Sequence, residues 1–306
     1  MKKIKYILTF CAAIAFLSSC QDVIDLPTET GETQLVVDGW LTNEAGNQTI
    51  KLSKSASYFD NSVAKPALGA TVVVADDQGK VYSFTDTKGD GNYVWKPKTA
   101  QEILGRIGGK YTLNIKFDGE EYKSISAINR VPKIDSLAYE YRKPTVTPTD
   151  APTEGYLAEF YARDFSGPGD CYWIRYGRNN KVWNKAQDLE LAYDAAFSPG
   201  APTDGFLFIR PLRQSITPNN GTELYAEKDT IKVQLYSITE EAFFFLSQIR
   251  QESSNQGLFA TPPNNIVGNI INTKTGGKKA LGFFGSSAIS RFQTVIDPKK
   301  ARPSTK

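Results

Sequence analysis

Between residues 33 and 132 the chain alternates apolar and polar positions in short runs separated by turn-forming residues. "TQLVVDGWL" (33–41) and "QTIKLSKSA" (48–56) flank the cluster "TNEAGN" and predict an antiparallel pair. "GATVVVAD" and "KVYSFTD" flank Asp77-Gln78-Gly79. "GNYVWKP" follows Asp90-Gly91, and "GKYTLNIKF" and "EYKSISAIN" are joined by Asp118-Gly119. Glycine at such places supplies the positive φ that a tight connection needs. About seven strands at this spacing predict an immunoglobulin-like β-sandwich over 33–132.

"VPKIDSLAYEY" opens a second region, 133–298, in which a Pro/Thr-rich loop (142–155) precedes further strands. These are "YLAEFYA", "CYWIRYG", "KVWNK", "FLFIRPL" and "TIKVQLYSI", then "NNIVGNIIN", "ALGFFGSSA" and "SRFQTVID". One helix stands out near 238–252. Ser237-Ile238-Thr239-Glu240 fits a capping box, and Ala242, Phe245, Leu246 and Ile249 recur at i, i+3, i+4 and i+7. The expected architecture is therefore mainly β: the sandwich, a second mostly-β domain with one packed helix, and a short tail (299–306).

The first twenty residues, "MKKIKYILTFCAAIAFLSSC", follow a different pattern. A basic start at Lys2, Lys3 and Lys5 leads into an apolar stretch from Tyr6 to Leu17. That stretch is too short for the roughly 20 residues a membrane-spanning helix needs, and it fits the apolar core of an export signal over 1–19. Its end, Leu17-Ser18-Ser19-Cys20, resembles the bacterial lipobox, in which cleavage precedes a cysteine that carries lipid. Cys20 is thus the expected lipidation site and membrane attachment, and the acidic, aperiodic residues 20–32 read as a tether.

Composition narrows the chemistry. With 36 basic and 33 acidic residues the chain carries +3, and the three lysines of the signal account for all of that excess. A nucleic-acid partner normally requires a basic surplus, so none is expected. The chain has no histidine, which removes Ser-His-Asp and Cys-His nucleophile activation, histidine zinc sites and a histidine pH switch. Among Cys11, Cys20 and Cys171, the last has no intrachain partner once the signal is cleaved and Cys20 is modified.

The remaining motifs favour turns and caps. "DTKGDGNY" (86–93) places Lys88 where a calcium loop needs an oxygen ligand, and "GGK" at 108–110 and 276–278 lacks the rest of a phosphate loop. Asp76, Asp77, Glu240 and Glu241 are neighbours in sequence, whereas glycosidase chemistry needs two carboxyls facing each other across a cleft. No metal, no cofactor and no enzymatic activity are expected. The best candidate for ligand binding is "CYWIRYGRNNKVW" (171–183). Strand alternation puts Tyr172 and Tyr176 on one face and Trp173 and Arg175 on the other, with Trp183 following, so that an aromatic face and a cation could meet a sugar or peptide. The same alternation also fits a two-sided buried strand with Arg175 snorkelling.

Taken together, the lipobox cysteine, "LVVDGWLTNEAGNQTIKLSKSASYFD" (35–60), "GATVVVADDQGKVYSFTD" (69–86), "VPKIDSL" (131–137), "PPNNIVGNI" and "LGFFGSSA" resemble the Bacteroidota outer-membrane lipoproteins of domain of unknown function 4249. The resemblance implies lipidation at Cys20, an outer-membrane location, and an accessory role beside a TonB-dependent receptor in ligand capture or docking. It implies no catalytic residues. The alternative expectation is a stand-alone surface module for glycan binding or adhesion.

Overall fold

The computed structural model describes residues 32–56, 60, 62–145, 151–255 and 265–303. Cys20, residues 146–150 of the Pro/Thr loop and the start of "PPNNIVGNI" lie outside the described residues. The first strands are β1 (Leu35–Thr42), β2 (Gln48–Lys54), β3 (Thr71–Asp76), β4 (Val81–Phe84), β5 (Asn92–Trp95), β6 (Lys110–Phe117) and β7 (Glu120–Ala127). They are followed by β8 (Ile134–Arg142), β9 (Gly155–Ala162), β10 (Cys171–Arg178), β11 (Lys181–Val182), β12 (Glu190–Tyr193) and β13 (Thr230–Ile238). The last are β14 (Ile271–Asn272), β15 (Ala280–Ser287) and β16 (Ile289–Val295).

The N-terminal part is an immunoglobulin-like β-sandwich. One sheet has the order β15-β1-β2-β5 and the other β14-β7-β6-β3-β4. Alternation along the strands turns Val37, Leu41, Ile50 and Leu52 of the first sheet toward Val72, Val74, Leu113 and Ile115 of the second, with Tyr111 and Phe284 filling the same core. Asp118 and Gly119 both take positive φ (51° and 76°), the backbone that lets β6 turn directly into β7. The "DTKGDGNY" stretch is a turn. Asp86 accepts from the backbone N–H groups of Lys88, Gly89, Asp90 and Gly91, so its carboxylate is used within the loop.

The second region packs a two-stranded sheet, β8-β9, against a sheet of order β11-β10-β13-β16, with β12 also paired to β10. Phe160, Tyr172, Phe208, Tyr225, Val233 and Leu235 lie between them. A third apolar cluster joins the long helix Glu240–Ser254 to β10, β12 and β13, and includes Trp40 of β1 and Phe283 of β15.

Three sequence-level expectations change. The division at 132/133 is crossed. β14 pairs with β7, and β15 pairs in parallel with β1 from Leu35↔Ala280 to Thr42↔Ser287, while β16, which follows almost directly, joins β13. Residues 33–306 accordingly form one compact unit. The long helix is capped by Thr239, whose hydroxyl accepts from Ala242 N, whereas Ser237 is buried at the end of β13 and bonds Asn129 and Ala288. "FLFIRPL" is not a strand. Arg210–Gln214 form a short helix with Pro211 in its first turn, where proline lacks only an N–H that would be unpaired anyway.

Candidate functional site

The strand singled out from sequence is packed on both faces, fully on the Tyr172 side and partly on the Trp173 side. Tyr172 is fully enclosed and donates its hydroxyl to Asp164 Oδ1 (2.6 Å), and Tyr176 is buried with its ring stacked on Trp183 at 5.6 Å. Trp173 packs edge-on against Trp40 (5.4 Å) and against Tyr236 (5.5 Å), where it joins the two halves of the molecule. Arg175 lies over the Trp173 and Tyr236 rings at 4.8 and 5.4 Å, with its Nε buried. These five side chains do not converge on a surface. Tyr172, Tyr176 and Trp183 fill the core against β8 and β9, and Trp173 and Arg175 fill the seam beside the long helix. The aromatic face is a core face, and a glycan platform built on it loses its motivation. Cys171 is likewise buried, and burial pushes its thiol up to about 12, so it is not a nucleophile at neutral pH.

Two clefts lie instead along the other face of β8 and β9. The register Ala138↔Glu159 and Glu140↔Leu157 puts all four side chains on one face of the pair, and the helix Arg210–Gln214 packs onto β9. A cavity of about 320 Å³ opens there, with an apolar floor from Ala138, Leu157 and Pro303 and a charged rim. Glu159, buried, accepts from Tyr161 Oη (2.7 Å), Gln214 Nε2 (2.7 Å) and Arg210 Nε (3.0 Å), with Arg213 Nη2 at 3.8 Å. Arg142 pairs with the other buried carboxylate, Glu140, and the Arg302 guanidinium lies 4.8 Å from the Tyr161 ring centre.

Two carboxylates line this cleft, and Glu159 is held ionised. Burial alone would push the Glu159 carboxyl up. The bonds from Tyr161, Gln214 and Arg210 outweigh that and hold it below the ordinary glutamate value. Carboxylate hydrolysis needs one member of the pair raised so that it can deliver a proton near neutral pH. Here the guanidinium groups oppose that, and the arrangement suits binding.

A second cavity, of about 450 Å³, shares Leu157 with the first and is also lined by Pro211 and Gln214 of the short helix. Its distinguishing group is Glu190 of β12. Burial pushes this carboxyl up to about 7; Arg250 pulls it back and Asp188 adds to the rise. A carboxyl raised in the folded state binds its proton more tightly there than in the unfolded chain, so stability falls as pH climbs from about 4.5 through about 7. Glu190→Gln is therefore expected to match the parent near pH 4 and to be more stable by about 2 kcal/mol above pH 8, a shift of this size being worth at most about 3 kcal/mol. Urea denaturation across the pH range checks it, and a constant difference between the two proteins would contradict it.

One further constellation was not anticipated from sequence. Asp164, Asp194 and Asp204 each bring a carboxylate oxygen to within 4.8 Å of the others, the first two buried and the third exposed. Asp194 accepts from Gly169 N and Asp170 N, Asp204 accepts from Gly167 N, and burial pushes the Asp164 carboxyl up. Among the described residues these are the carboxylates placed closely enough to share a cation. The residues lie on separate loops and share no motif spacing, so no local signal could have gathered them.

Sandwich and second β layer together define a mainly β protein with two cavities beside β8 and β9. The chain belongs to the family of Domain of unknown function (DUF4249), which matches residues 21–293. No curated protein matches the sequence. Among solved structures, a two fibronectin type-III domain segment from chicken tenascin is similar at 8% identity, covering 87% of this chain and 99% of that one with a TM-score of 0.19. That overlap is too loose to bear on the architecture, which rests on the sheets described above. No helix among the described residues is long and apolar enough to cross a membrane.

Proposed function

We propose that this chain is a lipid-anchored, non-enzymatic binding protein of the bacterial cell envelope. Acyl chains on Cys20 hold it on the outer membrane, where it is accessory to a TonB-dependent transporter in ligand capture or docking. The address rests on the signal-like segment and on Leu17-Ser18-Ser19-Cys20. The binding role is carried by one observation: the Glu140 and Glu159 carboxylates that line the first cavity are committed to arginines rather than free for proton transfer. Two acyl chains suffice to anchor a protein stably, because each buried methylene contributes about 0.8 kcal/mol.

Cells grown with an alkynyl fatty acid should label the wild-type chain in the envelope fraction. Cys20→Ser should lose the label and at least about nine-tenths of its envelope-bound share. Retention of both by the variant would overturn the anchor. Crosslinking followed by solubilisation and capture of the wild-type chain should recover a TonB-dependent receptor, and recovery of none would overturn the accessory role.

A further inference from the structure

The second cavity holds a carboxylate that no described residue bonds directly. Among the described residues, no hydrogen bond and no ion pair reaches Glu190, although it is half-buried and lines the cavity wall. Its neighbours are committed elsewhere. Arg142, on the same cavity, bonds Glu140 at 2.5 Å, the Gln214 amide donates to Glu159 at 2.7 Å, and Arg250 donates to the Leu189 carbonyl at 3.0 Å. The Ser215 hydroxyl, buried in the same wall, also has no partner. Buried polar groups in folded proteins are normally satisfied, and an exception in a cavity points to a missing partner. The cavity's remaining surface is apolar where Leu157, Phe197 and Pro211 form it, and its volume of about 450 Å³ lies within the range of small-molecule sites.

We propose that this cavity binds a small organic cation, a primary ammonium on an apolar body, with the Glu190 carboxylate as its counter-ion. An ammonium supplies three donors and a full positive charge, which satisfies the carboxylate and leaves a donor for Ser215. The apolar body takes the Leu157, Phe197 and Pro211 wall. A neutral alcohol of the same shape gains the wall but not the charge pair, so the site discriminates by charge. A simple anion would meet Glu190 as a like charge, while Arg142 on the same wall is paired with Glu140. This deepens the ligand-capture reading and rests on it for its biological setting. Lipid labelling and receptor capture are read separately, so failure here would leave those results standing.

The test uses benzylamine as the probe and benzyl alcohol as its uncharged counterpart, each titrated calorimetrically into the folded protein at about pH 8.5, where Glu190 is ionised. Benzylamine should bind at least about tenfold more tightly than benzyl alcohol. Glu190→Gln, which keeps the side-chain shape and removes a buried charge, should fold and should lose that preference. Carbon NMR of the Glu190 carboxyl provides an independent readout: saturation with benzylamine should move its titration to lower pH, because the bound cation favours the ionised form. Equal binding of amine and alcohol, unchanged preference in Glu190→Gln, or a Glu190 titration unmoved by saturating amine would overturn the proposal.

Discussion

Glu159→Ala is expected to lower the stability of the folded chain by about 3–5 kcal/mol, the range for removing one partner of a buried charge network. Four groups point at this carboxylate. Tyr161, Gln214 and Arg210 donate to it directly, and Arg213 stands at 3.8 Å with its Nε buried and unpartnered. Alanine would leave Arg213, only 16% exposed, facing a void rather than water. Arg210 is half-exposed and recovers solvation, so the lower half of the range is the better expectation. The sign with pH is fixed by the depressed carboxyl: its stabilisation is present above the unfolded value and is lost as pH falls through the folded one. The gap between parent and variant in urea denaturation should therefore be widest near neutrality and narrow in acid. A gap below about 1 kcal/mol at pH 7 would mean that the arginines are held by packing and stacking on Tyr161 alone.

The same residues show why the groove could not be found from sequence. Glu140, Glu159, Arg210 and Arg302 are scattered over more than half the chain, and each sits in a locally unremarked position. Only the β8-β9 register and the packing of the 210–214 helix onto β9 bring them together. Local signals fared differently. Alternation and turn glycines placed β1 to β7 close to their observed ends, because each strand has one core face and one wet face. At 171–183 the same alternation fitted both a ligand face and a two-sided buried strand, and it could not choose between them because the cover on the second face, the long helix and Trp40, is distant in sequence. The helix was legible from its apolar spacing. Its cap moved two residues because Ser237 is claimed by Ala288, a partner far away in sequence.

The least legible feature is the pairing of β15, whose partner β1 lies some 245 residues earlier in the chain, and Gly282 is the residue on which that pairing turns. It sits opposite Val37 with φ +92°, a conformation that L side chains rarely adopt. An added Cβ would also overlap the Val37 carbonyl oxygen, which belongs to backbone and cannot rotate away. Gly282→Ala is therefore expected to cost up to about 4 kcal/mol, the sum of a left-handed backbone penalty of about 1 kcal/mol and an overpacking cost of up to about 3 kcal/mol. Gly276→Ala separates the two terms. Gly276 has φ +73° with nothing within 4 Å of its Cβ position, so that substitution should cost only the backbone penalty. Because β15 also carries Phe284 into the sandwich core and Phe283 into the seam against Phe245, its displacement should loosen both halves together. Hydrogen exchange should then show β1 and the long helix losing protection in parallel in Gly282→Ala and in neither case in Gly276→Ala. Equal losses in the two variants would leave backbone strain as the whole effect and would argue that the β1-β15 pairing tolerates a side chain at its centre.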